Sequence, residues 1–325
     1  MYKVAVLILA VCWTLQGQAL ENTLTSIFST HRSCDPAKVD ECFSNPELWR
    51  EPFVFDNSTI EQVKEVVILV HGFTDSPYTF RHFLPFFLER GLPVVALRLH
   101  GHAPYLNVLD NNNQLLSNTK KEDWDHQIQT VVKELEENGY KINLVGYSLG
   151  GLLSVRGTIF NSKAIKRLVV LAPALSIRSP IPFLYSGLSC LMPDMNVQKK
   201  HILGEINSYV ADEVIPTAAS CELSKLAYKT KQDIKKNSRD KKYFNTPVYA
   251  AFANKDRQIR NKFSLKWIQA SFIKVHIYES GTRENPVSHT GLVYPITAPF
   301  SQNADKNFYF DDMLTDLGNW WDSSL

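Results

Sequence analysis

Residues 142–151 read Ile-Asn-Leu-Val-Gly-Tyr-Ser-Leu-Gly-Gly. Ile142, Leu144 and Val145 form an apolar run that predicts a buried strand. It runs directly into Gly146-Tyr147-Ser148-Leu149-Gly150, a G-x-S-x-G match. Beyond it, Leu152, Leu153, Val155 and Ile159 fall on helical spacing. Strand, sharp turn and helix are the setting in which this pattern becomes a nucleophile elbow. The turn needs glycine at 146 and 150, where a side chain would strike neighbouring backbone. It sets the Ser148 hydroxyl at the positive end of a helix, where developing negative charge is stabilised. G-x-S-x-G alone is a frequent pattern, so its meaning depends on the partners around it.

Outward from the elbow, strand and helix signals alternate. Val66 to Val70 is a continuous β-branched and apolar run that fits a parallel strand buried on both faces. His71-Gly72-Phe73 follows, and Phe80, Phe83, Leu84, Phe87 and Leu88 share one helical face before Gly91. Pro93 to Leu99 predicts a second strand and Glu122 to Asn138 a long amphipathic helix. Lys166 to Leu171, Pro247 to Phe252 and Phe272 to Tyr278 predict further strands. Phe263, Trp267 and Ile268 mark a helix between the last two, and Asp312 to Trp321 a closing helix. Such alternation implies an α/β fold with a mostly parallel sheet and helices on both faces. Pro52 to Phe55 reads as an edge strand, and Trp49 with Phe53 to Phe55 pins this arm onto the body.

A serine nucleophile requires a base, an acid that orients it, and hydrogen-bond donors for the oxyanion. Asp256 follows the strand that ends at Phe252, and His289 lies in the loop after the last strand. Ser148, Asp256 and His289 thus occur in the chain order Ser, Asp, His, all at carboxyl ends of strands, where open α/β sheets bind ligands. Glu279 and Glu284 compete as the acid and His276 as the base, but none fits the topology as well. The oxyanion donors expected are the backbone N–H groups of Phe73 and Leu149. His71 reads as an anchor of the oxyanion loop, and Asp75 as a cap for the helix at Pro77. His100 and His102 form an H-x-H pair, read as turn histidines bonded to backbone and not as metal ligands. Ser117-x-x-Lys120 and the faint calcium-loop echo at Asp110 and Asn112 lack the further residues that either site needs. No metal or organic cofactor is expected.

These residues together resemble the α/β-hydrolase superfamily, in the branch of monoacylglycerol lipases, lysophospholipases and small carboxylesterases. The resemblance is carried by Leu69-Val70-His71-Gly72-Phe73, by Gly146 to Gly151, and by Asp256 with Ser288-His289. It implies an α/β-hydrolase fold with a lid, Ser148 as nucleophile, His289 as base and Asp256 as acid. The related enzymes often carry Arg-Gly-His-Gly after the second strand. Here the run is Arg98-Leu99-His100-Gly101-His102.

The N-terminus carries Lys3, an apolar run from Val4 to Trp13 and Gly17-Gln18-Ala19, the pattern of a secretory signal peptide cleaved near Ala19. The expected organisation is a signal peptide at 1–19, an arm at 20–62 and the hydrolase domain at 63–325. Export makes the remaining cysteines Cys34, Cys42, Cys190 and Cys221 disulfide candidates. Three pairings are open. Cys34–Cys42 would close a short loop, and Cys190–Cys221 would staple an insertion. Asn57-Ser58-Thr59 is a glycosylation acceptor pattern. A net charge of +2, from 35 basic and 33 acidic residues, gives no sign of a nucleic-acid partner.

The insertion spans about 172–245. Its first part, Ile181 to Met192, is apolar and uncharged, as a lid over an acyl chain or against a lipid surface would be. Its second part, Lys225 to Lys242, is basic and reads as a solvated surface helix, with attraction to anionic headgroups as the alternative. The expected substrates are lipid-like esters. A peptidase of the proline-iminopeptidase kind shares the machinery, and a non-catalytic binding protein could share the fold.

Overall fold

The computed structural model describes residues 32–55, 64–102, 115–178, 187–191, 195–198, 214–294 and 307–324. The expected signal peptide, Asn57 of the glycosylation pattern, the asparagine-rich loop at Asp110 and most of the apolar first part of the insertion lie outside these residues. The core is an eight-stranded sheet in the order β1-β2-β4-β3-β5-β6-β9-β10. Its strands are β1 Arg32–Cys34, β2 Phe53–Phe55, β3 Glu65–Val70, β4 Val94–Leu97, β5 Lys141–Tyr147, β6 Ile165–Leu171, β9 Val248–Ala253 and β10 Val275–Ser280. β7 Asn196–Gln198 and β8 Val214–Pro216 form a separate antiparallel pair within the insertion.

All pairings in the main sheet are parallel except β2 against β4. The continuous apolar strands are therefore central. Every residue of β3, β4 and β9 is buried, as strands covered on both faces must be. One expectation needs correction: Phe53–Phe55 is not an edge strand. β1 pairs with its outer side and takes the edge, and Phe53 and Phe55 are fully buried. Trp49 stacks on Tyr78 at 4.0 Å and holds this arm to the body.

The helices used below are α1 Leu84–Leu88, α2 Lys121–Glu137, α3 Leu149–Phe160, α4 Thr217–Arg239, α5 Asn261–Gln269 and α6 Phe308–Ser323. α3, which follows the elbow, is buried from Leu149 through Ile159, so it is the central helix of its layer. Pro77–Phe83 forms tight 3₁₀ turns ahead of the short α1, where one continuous helix was expected. Pro85 enters α1 in its first turn, a position where its missing N–H costs nothing.

α4 departs furthest from the sequence reading. It is not simply a solvated helix, because Ala219, Leu223, Leu226, Ala227 and Ile234 lie in the main core. It packs on α3 through Arg156. That guanidinium is bound by Asp125 of α2 (2.8 and 2.6 Å), and by Asp233 (3.0 Å) and Thr230 (3.2 Å) of α4. Cys34 is bonded to Cys42, with Cα atoms 5.7 Å apart, and Cys190 to Cys221, at 4.9 Å. The second bridge ties the first part of the insertion to α4.

At the amino ends of the strands lies a buried polar cluster. Glu65 accepts from Asn143 (2.9 Å), Arg167 (3.1 Å) and Lys166 (2.5 Å). Arg167 also donates to the Trp321 carbonyl (3.2 Å) and to Ser324 (2.9 Å), so the cluster joins β3, β5 and β6 to the end of α6.

Candidate active site

Ser148 sits between β5 and α3 with φ 54° and ψ −113°, a conformation non-glycine residues seldom adopt. Three hydrogen bonds hold it there. Its N–H donates to the Leu171 carbonyl of β6 (2.9 Å), and its carbonyl accepts from Leu152 (3.1 Å) and Ala174 (2.9 Å). The flanking glycines are sterically required. A Cβ at Gly150 would lie 1.8 Å from the Val70 carbonyl oxygen, and one at Gly146 would lie 2.3 Å from that of Gly150. Backbone strain of this kind persists only where the surroundings enforce it, and it marks functional turns.

His289 and Asp256 meet although 33 residues separate them. His289 Nδ1 donates to Asp256 Oδ2 at 2.6 Å. The other carboxylate oxygen, Oδ1, accepts the N–H groups of Gln258 (2.7 Å) and Ile259 (2.8 Å). Both oxygens are engaged, so the carboxylate cannot swing away from the imidazole. The bond to Nδ1 places the proton there and leaves Nε2 as an acceptor. Nε2 is buried and has no hydrogen-bond partner among the described residues. The ring lies against Tyr147, the residue before Ser148, with centroids 4.9 Å apart. This contact brings the imidazole to the elbow.

The loops that carry the pair are stitched together. Lys255 N–H donates to the Val287 carbonyl (3.0 Å), Val287 N–H to Asn254 Oδ1 (2.8 Å), and Asn254 N–H to the Ser280 carbonyl (2.9 Å). Asn307, at the head of α6, donates to the carbonyls of Gly291 (2.7 Å) and Tyr294 (3.2 Å) and fixes the turn that begins at His289.

The loop after β3 is held by two buried histidines. His71 Nδ1 donates to the Gly72 carbonyl (2.8 Å), and Nε2 accepts the Leu99 N–H (3.0 Å). His102 reciprocates: its Nε2 accepts the Thr74 N–H (3.3 Å), and Nδ1 faces the carbonyls of Leu99 (3.2 Å) and His100 (3.3 Å). The two rings meet edge to face at 4.8 Å. Burial, reinforced by His102 and by the more distant Arg50 and Arg98, holds His71 well below the usual histidine range. Both rings bond as neutral imidazoles. Phe73 is thereby fixed between two clamped residues, with its ring edge-on to Trp124 at 6.1 Å. Leu149 opens α3, and N–H groups of a first helical turn have no partner within the helix.

Residues 67–232 match the Alpha/beta hydrolase family, about half of the chain. The chain belongs to the α/β-hydrolase family. Over 105 residues it is 28% identical to the thermostable monoacylglycerol lipase of Bacillus sp. (strain H-257); the match covers 32% of this chain and 37% of that enzyme. Two solved structures show the same fold. A soluble variant of monoglyceride lipase from Saccharomyces cerevisiae, in complex with a substrate analog, has a TM-score of 0.59 at 14% identity, covering 84% of this chain and 91% of that one. The monoacylglycerol lipase of Paleococcus ferrophilus has a TM-score of 0.57 at 17% identity, covering 78% and 92%.

The rival candidates take no part in the His289–Asp256 pair. Glu279 and Glu284 are exposed, and His276 bonds Asp316 at 2.8 Å. His71 anchors its loop as expected, and His102 bonds backbone. No group of three or more potential metal-binding side chains occurs among the described residues. Asp75 does not cap the following turns: Ser76 occupies that position, and no side chain caps it. The charge of Asp75 instead contributes, after burial, to raising Tyr147 and Tyr294 well above the usual tyrosine range. No pattern in the sequence signals the Tyr147–His289 contact, Asn254 as a stitch, or Asn307. Each joins segments far apart in the chain.

Proposed function

We propose that this protein is an exported serine hydrolase that cleaves carboxylic esters through Ser148, His289 and Asp256. The observation that carries the proposal is the open Nε2 of His289, its Nδ1 bound to a doubly anchored Asp256, beside a serine in an enforced elbow. Ser148 Oγ attacks the ester carbonyl while His289 Nε2 takes its proton. The tetrahedral oxyanion is held by the N–H groups of Phe73 and Leu149, and loss of one such donor costs about 2.7–4 kcal/mol. The alcohol leaves with the proton from His289. Water then repeats the sequence on the acyl-serine and frees the acid. No step requires a metal or an organic cofactor.

Lipid-like substrates such as monoacylglycerols, lysophospholipids or short acyl esters fit the apolar composition of residues 181–192 and the monoacylglycerol lipase activity of the relatives named above. Export is supported by the N-terminal sequence and by the two bonded cysteine pairs.

A fluorophosphonate probe tests the reading. Wild-type protein is expected to be labelled at neutral pH and Ser148→Ala to be blank. An unlabelled wild type refutes the mechanism, and a labelled variant refutes the choice of serine. Hydrolysis of p-nitrophenyl esters of increasing chain length, run beside amino-acid amides, separates an esterase from an aminopeptidase. Higher turnover on the amides would replace the ester reading with the peptidase one.

A further inference from the structure

Charge in this chain is unevenly distributed. Residues 225–274 carry fourteen Lys and Arg against three Asp, in a protein whose net charge is +2. The rest of the chain carries 21 basic and 30 acidic residues. Two of the three acids are already committed, Asp233 to Arg156 and Asp256 to His289. From Arg257 to Tyr278 there is no acidic residue at all.

The fold gathers these cations onto one face. α4 and α5 lie side by side: Lys235 Nζ sits 5.8 Å from the Trp267 ring centroid, and Ser238 donates to the Ala270 carbonyl (2.8 Å). Lys231, Lys235 and Arg239 are spaced four apart on α4, and Lys262 and Lys266 are four apart on α5, so each set shares a helix face. Of these five, all but half-buried Lys231 are exposed, and Arg257, Arg260 and Lys236 are exposed too. Among the described residues, none of these cations forms an ion pair with a carboxylate. Burial, with Lys235 and Arg260 close by, lowers the Lys231 ammonium below the ordinary lysine value. The cations therefore crowd one another, with no carboxylate bonded to them among the described residues. Apolar side chains stand exposed among them: Tyr228 at 63%, Tyr243 at 50%, Phe263 at 54% and Ile273 at 63%.

We infer that the α4–α5 face is a docking surface for an anionic membrane. Arg257 and Arg260 bracket the turn that binds the Asp256 carboxylate, and Arg260 N–H donates to the Ser176 carbonyl (2.8 Å). The face thus begins beside the active-site loops. Cations alone would suit any polyanion. The interleaved aromatic and aliphatic side chains favour a surface with an apolar interior beneath its charged headgroups. The choice of lipid over other polyanions also rests on the ester-hydrolase reading, but the binding is measured without catalysis.

The test uses full-length Ser148→Ala protein co-sedimented with phosphatidylcholine vesicles, with and without phosphatidylglycerol. Binding is expected only to the anionic vesicles, and to be lost at about 0.5 M salt, where the screening length falls to about 4 Å. Lys235→Glu and Lys266→Glu should each weaken partitioning at least about fivefold, and together with Arg239→Glu at least about a hundredfold. Lys38→Glu, Lys133→Glu and Lys163→Glu together change net charge equally away from this face, and should leave binding within about twofold of the parent. Equal binding to neutral and anionic vesicles overturns the inference, as does an equal loss in the control triple. Tighter retention on duplex DNA or heparin than on vesicles at matched salt would assign the face to a different polyanion. The face variants, made on the Ser148 background, should hydrolyse a soluble short ester at the wild-type rate, which shows that they fold. If the triple variant unfolds, the two single variants decide. Vesicle binding without any esterase activity would sink the proposed function and leave the surface standing.

Discussion

His102 shows how much of this site is held by side chains that never meet substrate. It fixes the backbone of Thr74, which has φ 62°, one residue beyond the proposed oxyanion donor Phe73. His102→Ala should let that N–H drift. The expected result is a fall of about tenfold to a hundredfold in kcat with KM little changed, because a displaced donor costs transition-state stabilisation more than binding. His102→Gln should recover much of the loss, since an amide oxygen can accept the Thr74 N–H where Nε2 did. Steady-state kinetics on a soluble ester decide it; equal losses in both variants would mean the ring is needed for packing alone. At this scale, chain order and strand ends singled out Ser148, Asp256, His289 and Phe73 as the proposed site, because those positions fall where such a sheet presents its carboxyl ends. The supports were not legible. Tyr147 on His289, Asn254 to Val287 and Asn307 to Gly291 are contacts between distant segments, and no local pattern encodes them.

Among the elements, strands read more truly than helices. β3, β5, β6 and β9 announce themselves as apolar runs, because a parallel strand covered on both faces has no polar side to show. α4 was harder. Its lysines suggest a solvated helix, and they mask Leu223, Leu226 and Ile234, which face the core at helical spacing. What commits α4 to the body is the Arg156 clamp, whose side chain is 1% exposed while those of Asp125 and Asp233 are 18% and 31% exposed. Arg156→Met removes the shared cation and leaves two carboxylates that still reach water. The expected cost is about 2–3 kcal/mol, below that of a fully buried pair. Urea unfolding should show a lower midpoint at unchanged slope; a loss under about 0.5 kcal/mol would mean the apolar contacts of α4 suffice.

For the whole molecule, acid is the predicted weakness. His82 packs against Tyr294 and Phe310 at 6.2 Å each, and burial, then Arg81, lowers it to about 4. Between that value and the ordinary ~6.5 of a free histidine, the unfolded chain binds a proton that the native one refuses. Stability therefore rises with pH through this window and is lost as pH falls through it. His71, buried and shifted in the same direction, adds to the effect. His82→Phe should shrink the drop in Tm between about pH 7 and pH 4.5. An unchanged drop would place the acid sensitivity in other groups. Position 82 falls among phenylalanines in the sequence, but the burial that shifts its histidine comes from residues more than two hundred positions away, so only the folded molecule shows it.

The cluster around Glu65 has a consequence for how the chain is made. Of the two buried charges at the start of the sheet, Glu65 and Arg167, the arginine has its last partners in Trp321 and Ser324, at the end of α6. The strands emerge during synthesis long before that helix, and until it arrives Arg167 lacks the carbonyl and hydroxyl that satisfy it. The base of the domain is completed only once α6 has been made. Such a nascent chain stays open to chaperones, and if it is exported as proposed, it reaches the secretion machinery still slack enough to be threaded.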